Sequence, residues 1–308
     1  MLSTCILTND VELTSIYHGG MRNATGKRVL EAAMPSLLEM YKRYGIKTTF
    51  FITGDIASIY PDVVRIAADQ GHEIGSHGWS HRLEDSFDLH PFDWQVNELK
   101  RSKSLLEDLS GQEVISFRAP ALRTNRHTPR ALVEAGFHID SSVSPQRFDF
   151  FFSTGNEEKM KWLRAERRPY FVSDNNLSKP GNLDLLEIPV SALIMPYIGT
   201  TMRMFPLLSR LLRSMLLTES RYYGTVLTFL FHPNEIVDES GEAKDELYGA
   251  NKSLISGRLR RWLKLRNLGP AGLRLHEQHI KAIIRAGCGF TTAREYYQHY
   301  RGNHRDSA

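Results

Sequence analysis

Short apolar runs alternate along the chain with longer segments whose apolar residues recur every three or four positions. STCILT near the amino terminus, KTTFFIT at 47–53, HEIGSH at 72–77 and VISFRAP at 114–120 read as strands, as do FHIDSSV at 137–143, LLEIPVS at 185–191 and TVLTFLFH at 225–232. The segment at 26–45 sets Leu30, Ala33, Leu37, Tyr41 and Tyr44 roughly on one face, and Gly45 stops it. Pro35 either divides that helix or marks its start, because proline suits a first turn. Further helices are expected at 61–71, 93–111, 127–136 and 276–287, the last leading into the short strand GFTT. Alternation of this kind predicts an α/β fold on a mostly parallel sheet, open or closed into a barrel.

Two stretches break the rhythm, 144–185 and 233–257, and both are expected to be insertions on one domain spanning 1–300. Residues 301–308 are then expected to form a polar tail. A chain of 308 residues can bury a large core without disulfides or structural metals. Cys5 and Cys288 sit in apolar surroundings at opposite ends of the chain and read as small core residues, so nothing requires an oxidising compartment. A formal charge of +4 is small for this length, and no basic cluster is interleaved with base-stacking aromatics, so nucleic acid is not expected as a partner. The segment MLSTCILTND has no basic start and no small-residue cleavage site, and no window reaches eighteen uninterrupted apolar residues. The expected location is therefore the cytoplasm.

Ligands of such folds bind beyond the carboxyl ends of the strands. Asp10 and Glu12 are expected there after the first strand, His77 and His81 after the third, Arg118 after the fourth, and His232 after TVLTFLF. His77 and His81 stand four apart with Gly78 and Ser80 between them, a spacing that can bring two imidazoles to one metal ion. Taken singly these residues have plain explanations: a histidine pair in a loop is usually solvated, and a carboxylate after a strand usually caps a helix. Their shared placement at the strand ends of one α/β unit favours a site. Two imidazoles and a carboxylate would hold a divalent metal with a coordination position left for water.

The order of short motifs resembles the NodB-homology polysaccharide deacetylases, carbohydrate esterase family four. The resemblance runs from TNDVE at 8–12 through TTFFITG, GHEIGSHGWSHR at 71–82, FRAP at 117–120 and EIPVS at 187–191 to FLFHPNEI at 229–236. It implies a distorted (β/α) barrel and a metal-dependent hydrolase that removes an N-acyl group, most often N-acetyl, from an amino sugar. It also implies His77 and His81 as metal ligands, Asp10 as catalytic base, His232 as general acid and Arg118 as the arginine that orients the base. Pro120 would shape the pocket and the Ala121 N–H would help hold the oxyanion. Trp79 is expected to pack under the site or to stack on sugar. The common motif has two adjacent aspartates. Here Val11 separates Asp10 from Glu12, as in a subgroup with an Asp-x-acidic spacing, and Glu12 becomes the third ligand. Zinc suits this donor set, and cobalt, manganese and iron also fit it. Glu187 and Asp184 are candidates for tuning His232.

The substrate is expected to be an N-acylated amino sugar in a glycan or a lipid-linked precursor. The alternatives are a small non-sugar amide and, from another class, a glycan-binding relative that has lost hydrolysis. A mere binder would have no need of both Asp10 and His232. Residues 201–221 carry Phe205, Leu208, Leu211, Leu212 and Met215 at helical spacing beside Arg203, Arg210 and Arg213. The plain reading buries that apolar face in the barrel. The sharper one lays it on the inner face of an anionic membrane, with RLRRWLKLR at 258–266 in support.

Overall fold

The computed structural model describes residues 3–145, 162, 164–193, 195–242 and 257–305. Its main sheet contains β1 (Thr4–Val11), β2 (Thr49–Ile52), β3 (Glu73–Ser76), β4 (Ser116–Phe117), β5 (Ile139–Asp140), β6 (Tyr170–Ser173), β7 (Asn176–Pro180), β8 (Leu186–Glu187), β9 (Leu227–Phe231) and β10 (Gly289–Thr291). The hydrogen-bonded order is β9-β1-β2-β3-β4-β5-β8-β6-β7, and β10 also pairs with β1. Pairs from β9 to β8 are parallel, whereas β6 joins β8 and β7 antiparallel. This mostly parallel, curled sheet with its helices is the distorted (β/α) barrel the sequence leads one to expect.

The strands read as continuous apolar runs because they are buried on both sides, as parallel strands covered by helices must be. Every residue of β2, β3 and β9 is buried. Cys5 and Cys288 are buried and free, as expected. Pro35 stands in the first turn of an α-helix that begins at Met34, as expected, although helical backbone already runs up to it. Helical backbone runs through Asn23–Arg28, a π-helical stretch Val29–Ala33, and Met34–Arg43. A proline ring collides with the carbonyl four residues back, and the wider π turn just before Pro35 accommodates it.

Three expectations change. Of the stretch 144–185, residues 146–161 and 163 lie outside the described residues, but β6 and β7 belong to the sheet itself. Of the stretch 233–257, residues 243–256 lie outside them as well. The polar tail is shorter than expected, because the final helix, Ala293–Arg305, continues past residue 301. The 201–221 segment bends at Phe205 into two helices, Gly199–Met204 and Pro206–Tyr223, since Pro206 disfavours helical backbone at the residue before it. Its apolar residues are not all inside: Leu212 is buried, whereas Leu208, Leu211 and Met215 are exposed. Among the described residues no helix is long and apolar enough to cross a membrane.

Candidate active site

The expected site residues gather at the carboxyl end of the parallel strands. Asp10 lies within the last residues of β1 rather than after it, and Glu12 follows the strand directly. In the pleat they therefore project to one side, as residues two apart in a strand do. His77 follows β3 immediately, and its backbone N–H donates to the Ile52 carbonyl. The chain then turns at Gly78, whose φ of +67° is the left-handed region glycine enters without strain. A side chain there would also press on Phe87 and Pro120, each about 3 Å from a Cβ. That turn brings His81 back over the strand ends. The two imidazole Nε2 atoms stand 3.0 Å apart.

Glu12 completes this group. One oxygen from Glu12 and one nitrogen from each of His77 and His81 lie within 4.8 Å of one another. Glu12 Oε2 touches His81 Nε2 and is otherwise buried without a hydrogen-bond donor. Its Oε1 accepts from Asn234 Nδ2 at 3.3 Å. His77 Nδ1 faces the Arg118 carbonyl at 2.7 Å, and a carbonyl can only accept, so Nδ1 carries the hydrogen. The lone pair of the neutral ring then sits on Nε2, directed into the cluster. Burial lowers the His77 pKa to about 4 despite the nearby Asp10, which keeps this ring neutral at pH 7. For Glu12, burial alone would raise the pKa, but His81, His232 and His77 together bring it down to about 2. Burial works against charge on His81 as well, yet Glu12 wins and raises its pKa. Three electron-pair donors converging in a buried space are mutually repulsive unless a proton or a cation sits between them. The donor set is that of a divalent metal.

Asp10 stands beside this group and is held from behind. Arg118, fully buried, donates from Nη1 to Asp10 Oδ1 and to Thr8 Oγ1, both at 2.7 Å. Its Nε and Nη2 bind the Ser141 carbonyl and hydroxyl at 2.9 and 2.7 Å. The guanidinium also lies over the Phe51 ring, 4.4 Å from its centre. Every direction in which Arg118 could swing is thus occupied. Asp10 Oδ2 is left facing His77 Nε2 at 3.7 Å.

His232 directly follows β9 and is only partly covered. Its expected partners do not reach it. Asp184 pairs with Arg301 at the surface, 3.1 Å away, and Glu187 faces Asp140 across the β5–β8 pair. The carboxylate beside His232 is Glu235, with Oε1 at 3.7 Å from His232 Nδ1. Glu235 accepts from Thr200 Oγ1 at 2.6 Å and lies 3.4 Å from Arg203 Nε, wholly out of solvent. Gly199 makes room for it, since a Cβ there would stand 2.2 Å from Glu235 Oε2. Burial disfavours charge on His232, but Glu235, Glu12 and Asp10 outweigh it and raise the pKa to about 9.

Pro120 is buried against Gly78, while Ala121 is exposed at the rim with a φ of +51°, followed by Leu122 at +55°. Two successive non-glycine residues in this region are strained and persist only where neighbours fix them. The fastening comes from a buried pair of acids. The Ala119 N–H donates to Ser142 Oγ at 2.9 Å, and Ser142 Oγ donates to Asp140 Oδ1 at 2.6 Å. Burial raises the pKa of both Asp140 and Glu187, which share a hydrogen bond. Trp79 is packed: its ring abuts Gly54, and the Arg101 guanidinium lies 3.2 Å from its centre. Glu235, Asn234 and the Asp140–Glu187 pair were not anticipated. The signal for the first two was the run HPNEI, polar residues one short turn beyond a strand-end histidine.

The geometry agrees with what known proteins of this fold look like. Residues 25–139 match the polysaccharide deacetylase family, the family that the order of motifs along the chain resembles. Among curated relatives, the chain is 26% identical over 165 residues to a peptidoglycan deacetylase of Helicobacter pylori, covering 52% of this chain and 53% of the other. It is 36% identical over 166 residues to the peptidoglycan deacetylase-like protein FGM2 of Gibberella zeae, covering 50% and 45%. The chain thus spans about half the length of these relatives. Two solved structures share the fold across nearly the whole chain. A Mycobacterium smegmatis protein assigned as a polysaccharide deacetylase aligns over 98% of this chain and 92% of its own, at a TM-score of 0.65 and 19% identity. The Puue allantoinase aligns over 97% and 91%, at 0.61 and 17%.

Proposed function

We propose that this protein is a metal-dependent hydrolase that removes an N-acyl group, most simply acetyl, from an amino sugar. The observation that carries this reading is the pairing of the Glu12–His77–His81 donor set with a clamped Asp10 on one side and a protonated His232 nearby. Hydrolysis of an amide needs a base for water and an acid for the leaving amine, and a binding module needs neither. The Asp-x-acidic form of the first motif makes Glu12, not a second aspartate, the third ligand. A single divalent cation fits, with zinc the first choice for two imidazoles and a carboxylate.

When bound, such an ion lowers the pKa of a water and polarises an acyl oxygen. Asp10 then takes the water proton on Oδ2, the oxygen that Arg118 leaves open. His232 gives its proton to the nitrogen of the leaving amine, which would otherwise be too basic to depart. Glu235 keeps that proton in place at neutral pH. The Ala121 N–H, carried on a strained and fastened turn, is proposed as the oxyanion donor. Arg118 acts through Asp10 and does not touch substrate.

The relatives include peptidoglycan deacetylases and a chitin deacetylase of Pestalotiopsis sp., 32% identical over 106 residues. They support an N-acetylated glycan or its precursor as substrate class. We read the stretch 1–300 as one domain acting in the cytoplasm at the membrane face on a lipid-linked precursor. A small non-sugar amide is the second reading, favoured by the fold shared with an allantoinase.

The test is acetate release by zinc-loaded protein from chitin oligomers, soluble nucleotide sugars and a membrane extract in parallel. Release from any of them, lost in Asp10→Asn, is the expected result. Silence from all three with a folded, metal-loaded protein would sink the sugar reading and shift weight to the small amide.

A further inference from the structure

We propose that the Pro206–Tyr223 helix, together with the Gly257–Leu265 helix that packs on the short helix leading into it, is a docking surface for an anionic lipid membrane. This inference stands on the two helices alone and does not depend on the deacetylation reading.

The first helix is apolar on two faces. Ser209, Leu212, Leu216 and Ser220 form the buried stripe that holds it to the protein. Leu207, Leu211, Met215 and Tyr222 point the other way, at 78%, 58%, 50% and 76% exposure. At about 100° per residue these four fall within an arc of roughly 80°, with Leu208 at its edge. A water-facing helix would place charges there. The charges stand instead along the border, where Arg210 and Arg221 are exposed. Arg210 reaches Gln278 only at 3.4 Å, and Arg221 the Ala286 carbonyl at 3.1 Å. Glu219, the only acidic residue between 206 and 223, is paired with Arg167.

The second helix repeats the arrangement in shorter form. Leu259 and Trp262 are 48% and 58% exposed, and residues 257–266 hold five basic residues and no acidic one. Its end is fastened to Gly199–Met204, the short helix that leads into the first. Arg266 donates to the Met204 carbonyl at 3.1 Å, Asn267 to the Arg203 carbonyl at 2.7 Å, and Arg203 to the carbonyls of Lys264 and Arg266. Trp262 therefore lies about one turn from residues tied to Met204, and Leu207 about one turn beyond Met204 on the other side.

Exposed apolar stripes with a basic border match acyl chains below and anionic headgroups beside. A second copy of the chain would set basic border against basic border, so charge favours the lipid. The surface also adjoins the site: Gly199–Met204, which leads into the first helix, carries the Thr200 and Arg203 side chains that hold Glu235.

The experiment is cosedimentation of the full chain with vesicles of phosphatidylcholine alone or mixed with phosphatidylglycerol. Binding should rise several-fold with phosphatidylglycerol, weaken as salt is raised, and vanish in a Leu207→Ser, Leu211→Ser, Met215→Ser variant. Those side chains face solvent, so the variant should keep the wild-type melting transition. Equal binding by the variant, or no binding of the wild type to either vesicle at low salt, overturns the proposal. So does a wild-type dimer that the variant converts to monomer without any vesicle binding, since the stripe would then belong to a second copy. A second variant, Arg210→Glu with Arg221→Glu, should abolish the preference for phosphatidylglycerol; an unchanged preference also overturns it.

Discussion

Two groups of histidines share this barrel, and they live in opposite surroundings. His77, His81 and His232 stand at the strand ends among Asp10, Glu12 and Glu235. His276 and His279, on the helix Pro270–Arg285, lie against β9 with their rings stacked on phenylalanines. His276 is 4.1 Å from Phe231 and His279 is 3.9 Å from Phe229, centre to centre. One nitrogen of each meets a tyrosine hydroxyl, Tyr41 at 2.9 Å and Tyr197 at 2.7 Å. Spacing alone would rank the second pair, three apart on a helix, as the better ligand pair. What separates the groups is the carboxylate: Glu12 converges on the same point as His77 and His81, whereas the rings of His276 and His279 pack on phenylalanines. Without a converging carboxylate, burial keeps the ring neutral and it packs as an aromatic, with the pKa of His276 falling to about 3.

Removing one member from each group should break the comparison most sharply. His77→Ala should lose stoichiometric metal and at least about 10³-fold in activity, because two remaining donors hold a divalent ion poorly. Metal analysis of the purified variant beside its rate of acetate release checks this; full metal occupancy would show the ligand assignment to be wrong. Asp10→Asn should keep its metal and its fold and still lose about 10²–10⁴-fold in rate, the range typical of a lost general base. Unchanged activity there would remove Asp10 from the mechanism.

The core pair should respond in stability instead. His276→Ala opens a space between Phe231 and Tyr41 and should cost about 3 kcal/mol, in line with other large-to-small core changes. Activity per folded molecule should hardly move, and urea unfolding beside a rate measurement on the same sample separates the two. The wild-type ring also makes stability depend on pH. Its pKa is about 3 when folded and about 6.5 when unfolded, so below about pH 6.5 the unfolded chain binds the proton first. The stabilisation is full above that pH and declines as pH falls toward 3, by about 1.4 kcal/mol per unit. His276→Phe keeps the stacking and should flatten this slope. A slope unchanged in the variant would mean that other groups, such as His72 with its pKa lowered to about 4, account for it.

Much of this was legible before any coordinates. The parallel strands announce themselves as apolar β-branched runs because both of their faces are covered, and the strand ends then point to Asp10, Glu12, His77, His81, Arg118 and His232. Other features depend on contacts that no local pattern carries. Asp140 and Glu187 meet only because β5 and β8 are neighbours, so neither residue advertises its partner in sequence. The Pro206–Tyr223 helix has two apolar stripes, and periodicity cannot tell which of them faces the protein. The packing partner of Trp79 was equally hidden, because nothing near it in sequence reveals that Arg101 covers its ring. Glu235 was hidden differently. It sits three residues past His232, too close to read as a separate motif, and only the short helical turn Pro233–Ile236 brings it back to the imidazole.

That turn gives the smallest and most specific prediction. Glu235→Gln preserves volume and the acceptor for Thr200, but it removes the anion that holds the proton on His232. The proton-bearing form of His232 is the useful one for a leaving amine, so activity should fall as pH rises through its pKa. The pKa of His232 is raised to about 9 by its carboxylate neighbours, and a bound cation that offsets Glu12 would bring the limb lower. In the variant it should move down by about one pH unit, with the rate at pH 7 reduced less than about tenfold. A merely structural role for Glu235 would lower the amount of folded protein and leave the position of the limb unchanged. If the limb stays in place while the rate falls, the proton on His232 is not what Glu235 controls, and the acid must be sought elsewhere on the rim. A shift of the limb alone would instead show that a carboxylate beside a strand-end histidine does more than fill space: it sets the pH range in which that histidine can work.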